Sequence, residues 1–289
     1  MRDDDVRARS PGLLAWRALG AVARGLLYLL IVIWSASPVA FIVLSSLKPQ
    51  QEIFAFPPSL IFTPTFAHYV TLWEQWGNFF ATMRNSLIIA VGATVLAAAV
   101  SSMAGFVYSR YASRALAFSA FYMIAIRLLP PIVVTLPLFP LADYLGLSDT
   151  HILLILLYAT FWVSLYTMIM KTFIDEVPRE LDEAAFVDGA SRWQTLLLVI
   201  MPLTLQGMVA GGLFVFIFSW NEFLFALIFT TQHARTAPLV ISEVMGAVDG
   251  TEWGVLFAGV TTQLLPVVIL VSAAQRLLIR GLTAGAVKG

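Results

Sequence analysis

The chain contains no cysteine, which excludes a disulfide framework and any thiolate metal site. His68 and His151, two of its three histidines, stand as single polar residues and not in a metal-ligating constellation. Lysine occurs three times, at Lys48, Lys171 and Lys288. A phosphate-cradling loop needs Gly-x-x-x-x-Gly-Lys-Ser/Thr. Only Lys171 precedes a threonine, and it follows Met170 rather than glycine. The chain therefore has no such nucleotide site, and it shows no Ser-His-Asp arrangement for nucleophilic catalysis. Charge is also scarce: 12% of residues are charged, against about 25% in soluble domains. Lys plus Arg and Asp plus Glu balance at 17 each, so net charge is uninformative and only the placement of charge carries meaning.

What fills the chain is apolar. Hydrophobic residues make up 60%, and the mean hydropathy is +0.87. Six stretches, roughly 25–47, 86–108, 115–139, 152–174, 204–230 and 255–279, have the length needed to cross the hydrocarbon core. The expected fold is all-α, a polytopic membrane protein of six transmembrane helices. Residues 1–24 form an N-terminal tail, 25–280 the membrane domain, 175–203 a polar loop within it, and 281–289 a C-terminal tail. Ser35-Ala36-Ser37 resembles a signal cleavage site, but Pro38 follows and the apolar run continues to Leu47. That is too long for a cleaved segment, so a retained anchor is expected. With the N-terminus inside, thirteen of the seventeen Lys and Arg residues fall on the cytoplasmic side. Lys48, Arg84 and Arg235 fall outside, and Arg127 lies within a span. This bias predicts cytoplasmic termini and puts 175–203 in the cytoplasm as well.

That loop is the most structured polar segment. From Lys171 to Arg192 it gathers Asp175, Glu176, Arg179, Glu180, Asp182, Glu183 and Asp188. Pro178 suits a first helical turn, and Glu180, Asp182 and Glu183 place negative charge at the positive end of the helix dipole. Asp188-Gly189 tolerates positive φ and predicts a stop. Ser191 with Gln194 three residues later predicts a capping box opening a second helix, which continues to Pro202. Leu181, Ala184 and Ala185 form a small, smooth face. Local grammar alone is equally satisfied by a plain helical hairpin joining two spans.

The spacing Glu183-Ala184-Ala185, Gly189, Val199 and Met201-Pro202 resembles the EAA motif of ABC importer permeases. Val199 and Met201 stand where Ile and Leu are usual. Trp220 to Ala226, the C-terminal Gly281-Leu282-Thr283-Ala284-Gly285-Ala286-Val287-Lys288-Gly289, Asn85-Ser86-Leu87, and Arg127 followed by Pro130-Pro131 are similar to the shorter permease subunit of maltose-type carbohydrate importers. The resemblance runs over nearly the whole chain from Pro38 onward. It implies a coupling helix that docks on an ATP-hydrolysing subunit, with Glu183, Ala184, Ala185, Asp188 and Gly189 transmitting motion. It further implies a homologous second permease subunit, two ATPase subunits holding ATP and Mg, an extracytoplasmic sugar-binding protein and a place in the bacterial cytoplasmic membrane. This chain itself would bind no cofactor, metal or nucleic acid. Lys288 in the tail would lie near the ATPase subunits.

Arg127, Asn221 and Glu222 are polar groups inside spans, where a charge costs roughly 2.5–3.5 kcal/mol on insertion scales and normally faces a partner or a wet cavity. Two readings stand side by side. The three residues line or gate the translocation path, or they form an interhelical polar lock. Helical rise puts Arg127 and Glu222 at depths differing by roughly 9 Å, so a direct pair requires a kink or tilt. Pro130, Pro131, Pro137 and Pro140 crowd the third span and Pro266 interrupts the sixth, which predicts bent, cavity-lining helices. Between Pro49 and Phe80 aromatics concentrate; Trp73, Trp76 and Phe80 are expected on one helical face at the membrane interface. Two alternatives to a sugar permease remain. One is an ABC permease for another solute, and the other is an ATP-independent secondary transporter, which would leave the EAA-like loop unexplained.

Overall fold

The structure, a computed structural model, describes residues 11–285 apart from 60, 77, 248 and 249. The C-terminal Lys288 and its expected contact lie outside the described residues. Among those described, all regular structure is helical: α1 Pro11–Ser46, α2 Ala67–Glu74, α3 Asn78–Arg110, α4 Arg114–Ala125, α5 Pro131–Tyr144, α6 His151–Asp175, α7 Arg179–Val187, α8 Arg192–Leu203, α9 Leu205–Trp220, α10 Leu224–Phe229, α11 Ala237–Met245 and α12 Trp253–Gly285.

Among the described residues four helices are long and apolar enough to cross a membrane: Leu19–Ser46 within α1, α3, α6, and Trp253–Arg276 within α12. The expected third span is bent, as its prolines predict, and a second bend falls at residue 204, where the expected loop meets the expected fifth span. Arg114–Leu128 and Pro131–Tyr144 meet at 94°, and Arg192–Leu203 and Leu205–Trp220 at 81°. The count reaches six only when each bent pair is one span. The first bend has a plain cause. A residue before proline is pushed out of the α region, and here two prolines follow in succession. Leu129 (φ −73°, ψ 129°) and Pro130 (φ −59°, ψ 136°) are both extended, and Pro131 opens α5. Pro137 and Pro140 sit inside α5. The apolar run read as 204–230 is likewise interrupted, since α9 ends at Trp220 and α10 begins at Leu224.

The centre of the bundle is α3 against α6, with α9 packed on both. On α3 the buried face is a stripe of small residues, Ala90, Ala93, Ala97, Ser101 and Gly105. Without water to drive burial, membrane helices gain by close backbone approach, and small residues permit it. A Cβ on Gly105 would stand 2.8 Å from the Cβ of Met170. On α9 the same logic is stronger. A Cβ on Gly211 would lie 2.0 Å from the Tyr166 ring, and one on Gly207 2.6 Å from the Phe173 ring. Tyr166 is buried and donates to the Met208 carbonyl at 2.6 Å. A second cluster joins Leu72 and Phe79 to Ala237, Val240, Val244, Val255 and Leu256. The expected aromatic face is a corner rather than a helical stripe. Helix α2 stops at Glu74, so Trp76 lies between two helices, while the Trp73 and Phe80 rings meet at 4.9 Å. Helix α1 packs on α12 alone among the long helices, and none of its apolar window is buried.

Candidate functional site

The loop between α6 and α8 folds as its local chemistry dictates. Pro178 is the residue before α7 rather than its first, a shift of one position. Glu180 and Asp182 lie in the first turn. The helix ends with Gly189 at φ +84°; its N–H donates to the Phe186 carbonyl at 3.0 Å and that of Ala190 to Ala185 at 2.9 Å. These two bonds satisfy carbonyls the helix leaves open, and the left-handed position favours glycine. Ser191 and Gln194 form the reciprocal capping box: Gln194 N–H donates to Ser191 Oγ, and Ser191 N–H to Gln194 Oε1 at 2.7 Å. The turn is thus pinned on both sides by hydrogen bonds.

Helix α7 divides into two faces. Glu183, Ala184, Asp188 and Gly189 are exposed and Ala185 is half-buried. Leu181, Phe186 and Val187 join them at the surface, with Val187 88% exposed. The outward surface of this helix therefore mixes apolar side chains with the charges of Glu183 and Asp188. Phe186 and Val187 were absent from the motif-based set, although their position beside Ala184-Ala185 offered the signal. The opposite face carries Asp182, which is buried. Its Oδ2 accepts from Arg110 Nε at 2.5 Å. Arg110, the last residue of α3, also donates to the Ile174 carbonyl at 3.1 Å and the Val177 carbonyl at 3.0 Å. Arg179 donates to the Ser109 carbonyl at 3.3 Å. Sequence reading missed this clasp, because Arg110 and Asp182 are 72 positions apart and neither carries a motif linking them.

Within the bundle, Arg127 lines a cavity of about 390 Å³ together with Tyr122, Leu138, Phe161, Ser164 and Phe225. Its guanidinium sits 4.9 Å from the Trp162 ring centroid and 5.8 Å from that of Phe161, a cation–π arrangement. Among the described residues Arg127 makes no ion pair, and Glu222, whose pairing with it required a kink or tilt, is engaged elsewhere. Glu222 accepts from the backbone N–H of Phe225 at 2.9 Å and of Ala226 at 3.3 Å. It thereby caps α10 and stabilises the break in the fifth apolar run. Asn221 is exposed and donates to Ile217 O at 2.7 Å. The structure therefore brings Arg127 near Phe225, three residues beyond Glu222, but does not join the charges.

At the end of the bundle away from α7 a polar network ties three segments. Asn85 Nδ2 donates to the His233 and Arg235 carbonyls at 2.8 and 3.1 Å, and its Oδ1 meets His151 Nε2 at 2.9 Å. Ala237 N–H donates to Ser86 Oγ at 2.9 Å. Asp149, at φ +58°, receives the backbone N–H groups of Thr231, Gln232, His233 and Ala234, and the Thr231 hydroxyl. Burial alone would raise its pKa, but these backbone donors outweigh it and hold the carboxyl well below the usual carboxylate range. Among the described residues no group of three or more His, Asp or Glu side chains could hold a metal ion.

Comparison with known proteins sets this architecture in a family. Residues 97–284 match the family model described as binding-protein-dependent transport system inner membrane component. The trehalose/maltose transport system permease of Thermococcus litoralis is 33% identical, over 94% of this chain and 95% of its own length. The trehalose transport system permease of Mycobacterium tuberculosis is 35% identical over 90% of this chain and 95% of its own length. In fold, the chain is similar to a chain of a bacterial ABC transporter involved in import of the acidic polysaccharide alginate. The TM-score is 0.73 at 17% identity, covering 92% of this chain and 98% of that one. By family match and by full-length relatives, this chain is a binding-protein-dependent transport system inner membrane component, a permease subunit of the ABC importer class.

Proposed function

We propose that this chain is one of two homologous permease subunits that together carry a carbohydrate or sugar derivative across the cytoplasmic membrane by ATP-driven alternating access. The carbohydrate assignment draws on relatives named for trehalose, maltose, sulfoquinovosyl glycerol and diacetylchitobiose transport. Its termini and the α7 hairpin lie in the cytoplasm in this reading, as the Lys and Arg bias requires. Two ATPase subunits, which bind ATP and Mg, close on each other and draw the docked α7 helices together. The bundle then opens outward to a loaded binding protein. A solved structure of similar fold is a bacterial alginate ABC transporter in complex with an alginate pentasaccharide-bound periplasmic protein, which supports that partner.

The observation that carries the reading is the α7 hairpin. It is capped at both ends of its turn, presents Leu181, Ala184 and Val187 outward, and has its buried face clasped to α3. Glu183, Ala184, Ala185, Asp188 and Gly189 are assigned to ATPase coupling. Arg127, with its cavity, and the break at Asn221 and Glu222 are assigned to the path or its gate.

The test is co-purification with the co-expressed ATPase, followed by ATP hydrolysis of the complex with Glu183→Lys and Gly189→Trp, and uptake of a panel of sugars, polyamines, phosphate and amino acids. Loss of coupling in both variants with sugar uptake in the wild type supports the proposal. Uptake of a non-sugar solute alone moves the assignment to another ABC permease class. Uptake independent of any ATPase turns it to a secondary transporter.

A further inference from the structure

We propose that Arg110 and Asp182 form the joint through which displacement of α7 reaches the membrane helices, making both positioning residues for the coupling cycle. The proposal rests on the docking role given to α7 above. The argument begins with what holds that helix. It has nine residues, too few to be stable alone in water, and one face is given over to the docking patch. On the other face Asp182 is the buried residue. Its partner Arg110 is 7% exposed at its side chain and spends its donors on four groups. Nε goes to Asp182 Oδ2, Nη1 to the Ile174 carbonyl and Ser109 Oγ, and Nη2 to the Val177 carbonyl.

One guanidinium therefore ties the C-terminus of α3, the last turn of α6, the loop that follows it and the first turn of α7. These are the two helices that make the centre of the bundle, so any tilt of α7 is felt by both. A planar five-donor fork can make these bonds together, whereas an ammonium cannot. The Arg179 bond to the Ser109 carbonyl closes the clasp from the other direction. Asp182 Oδ1 is buried and has no partner among the described residues. An unpaired buried oxygen disfavours the present arrangement. It leaves a second one open, with Arg110 engaging both oxygens after α7 tilts.

The experiment uses the complete complex of this chain with its second permease, ATPases and binding protein, reconstituted in lipid vesicles. Asp182→Asn, Arg110→Gln, Arg110→Lys and the double variant Asp182→Asn/Arg110→Gln are compared with wild type. The readout is solute moved per ATP hydrolysed, with ATPase co-purification and thermal stability measured alongside. The expected result is ATPase retention and continued hydrolysis, with transport per ATP reduced about tenfold, within the range typical of site-to-site coupling. The double variant should be no worse than the poorer single, because the pair acts as a unit. An unchanged ratio in an assembled variant overturns the joint, and so does a double variant that loses the product of two independent factors. If Asp182→Asn fails to assemble, Arg110→Lys retains the buried charge and carries the same decision. A wild-type complex without any ATPase overturns the coupling reading itself, and with it the joint; that failure is visible before any substitution is made.

Discussion

Asp149 offers a stability measurement with a pH signature. Replacing it by alanine removes the acceptor for four backbone N–H groups and one hydroxyl. These donors are not equal. Thr231, Gln232 and His233 are exposed, and water can take over their bonds, so each is worth at most about 0.5 kcal/mol after discounting for solvent. Ala234 is fully buried, and its orphaned N–H costs about 1–3 kcal/mol. The sum is about 3 kcal/mol, or roughly 5–10 °C in Tm on the scale of chains of comparable size. Thermal unfolding of the detergent-solubilised protein measures it. Asp149→Asn retains an acceptor and should lose less.

The pH dependence follows from the carboxyl's depressed pKa. Stability from the charged form is fully present above the unfolded pKa, near 3.8, and is lost as pH falls through the lower folded value. The gap between wild type and Asp149→Asn should therefore be flat from about pH 5 to 8 and shrink only below about pH 4. A gap that changes between pH 6 and 8, or an alanine variant as stable as wild type, would refute the account.

Gly211→Leu places side-chain atoms where the buried Tyr166 ring stands, and overpacking of this kind costs about 3 kcal/mol or more; Gly211→Leu/Tyr166→Ala should recover part of that loss in the same unfolding assay. Gly189→Ala forces a Cβ into the left-handed region and should cost about 1 kcal/mol, while Ser191→Ala removes the cap and should cost a similar amount; both should weaken ATPase co-purification more than they lower Tm. Arg127→Ala separates the two readings of the intramembrane charge, since uptake that falls at constant Tm identifies the path, whereas a fall in Tm identifies a lock held by the Trp162 and Phe161 rings.

The α7 hairpin was legible in the sequence because everything that shapes it is local. Asp188-Gly189, Ser191 and Gln194 satisfy one another within a few residues, so composition and spacing were enough. The helices of the spans were legible for a similar reason, since apolar length alone marks them. Their breaks were harder. Leu129-Pro130-Pro131 states its bend outright through the rule for residues preceding proline, yet a hydropathy pattern averages across it. The interruption at residues 221–223 depends on Glu222 turning back to cap α10, and an acidic residue in an apolar run suits a charge partner equally well. The Arg110–Asp182 clasp and the Asp149 cradle depend on pairs of segments far apart in sequence. The packing of α3 against α6, set by small residues with no motif of their own, brings the clasp together, and the packing of α10 on α5 and α6 brings the cradle together.

Helix α1 differs from the rest in what its sequence is free to do. The interior of α3, α6 and α9 is constrained residue by residue, because a single methyl group at Gly105 or Gly211 collides with a neighbour. Around the apolar window of α1 no such jigsaw exists among the described residues. Leu26 to Ile33 are all about half exposed or more, and its Phe41 ring meets Phe257 of α12 edge-on at 5.8 Å. The bilayer, more than the chain's own core, supplies the surroundings of this helix. Within the chain, the demand on it is compositional, as apolar side chains of almost any shape fill a fluid hydrocarbon environment. Divergence between related chains should therefore accumulate along α1 while hydrophobicity is held, and the same substitutions transplanted to α3 or α9 should be rejected.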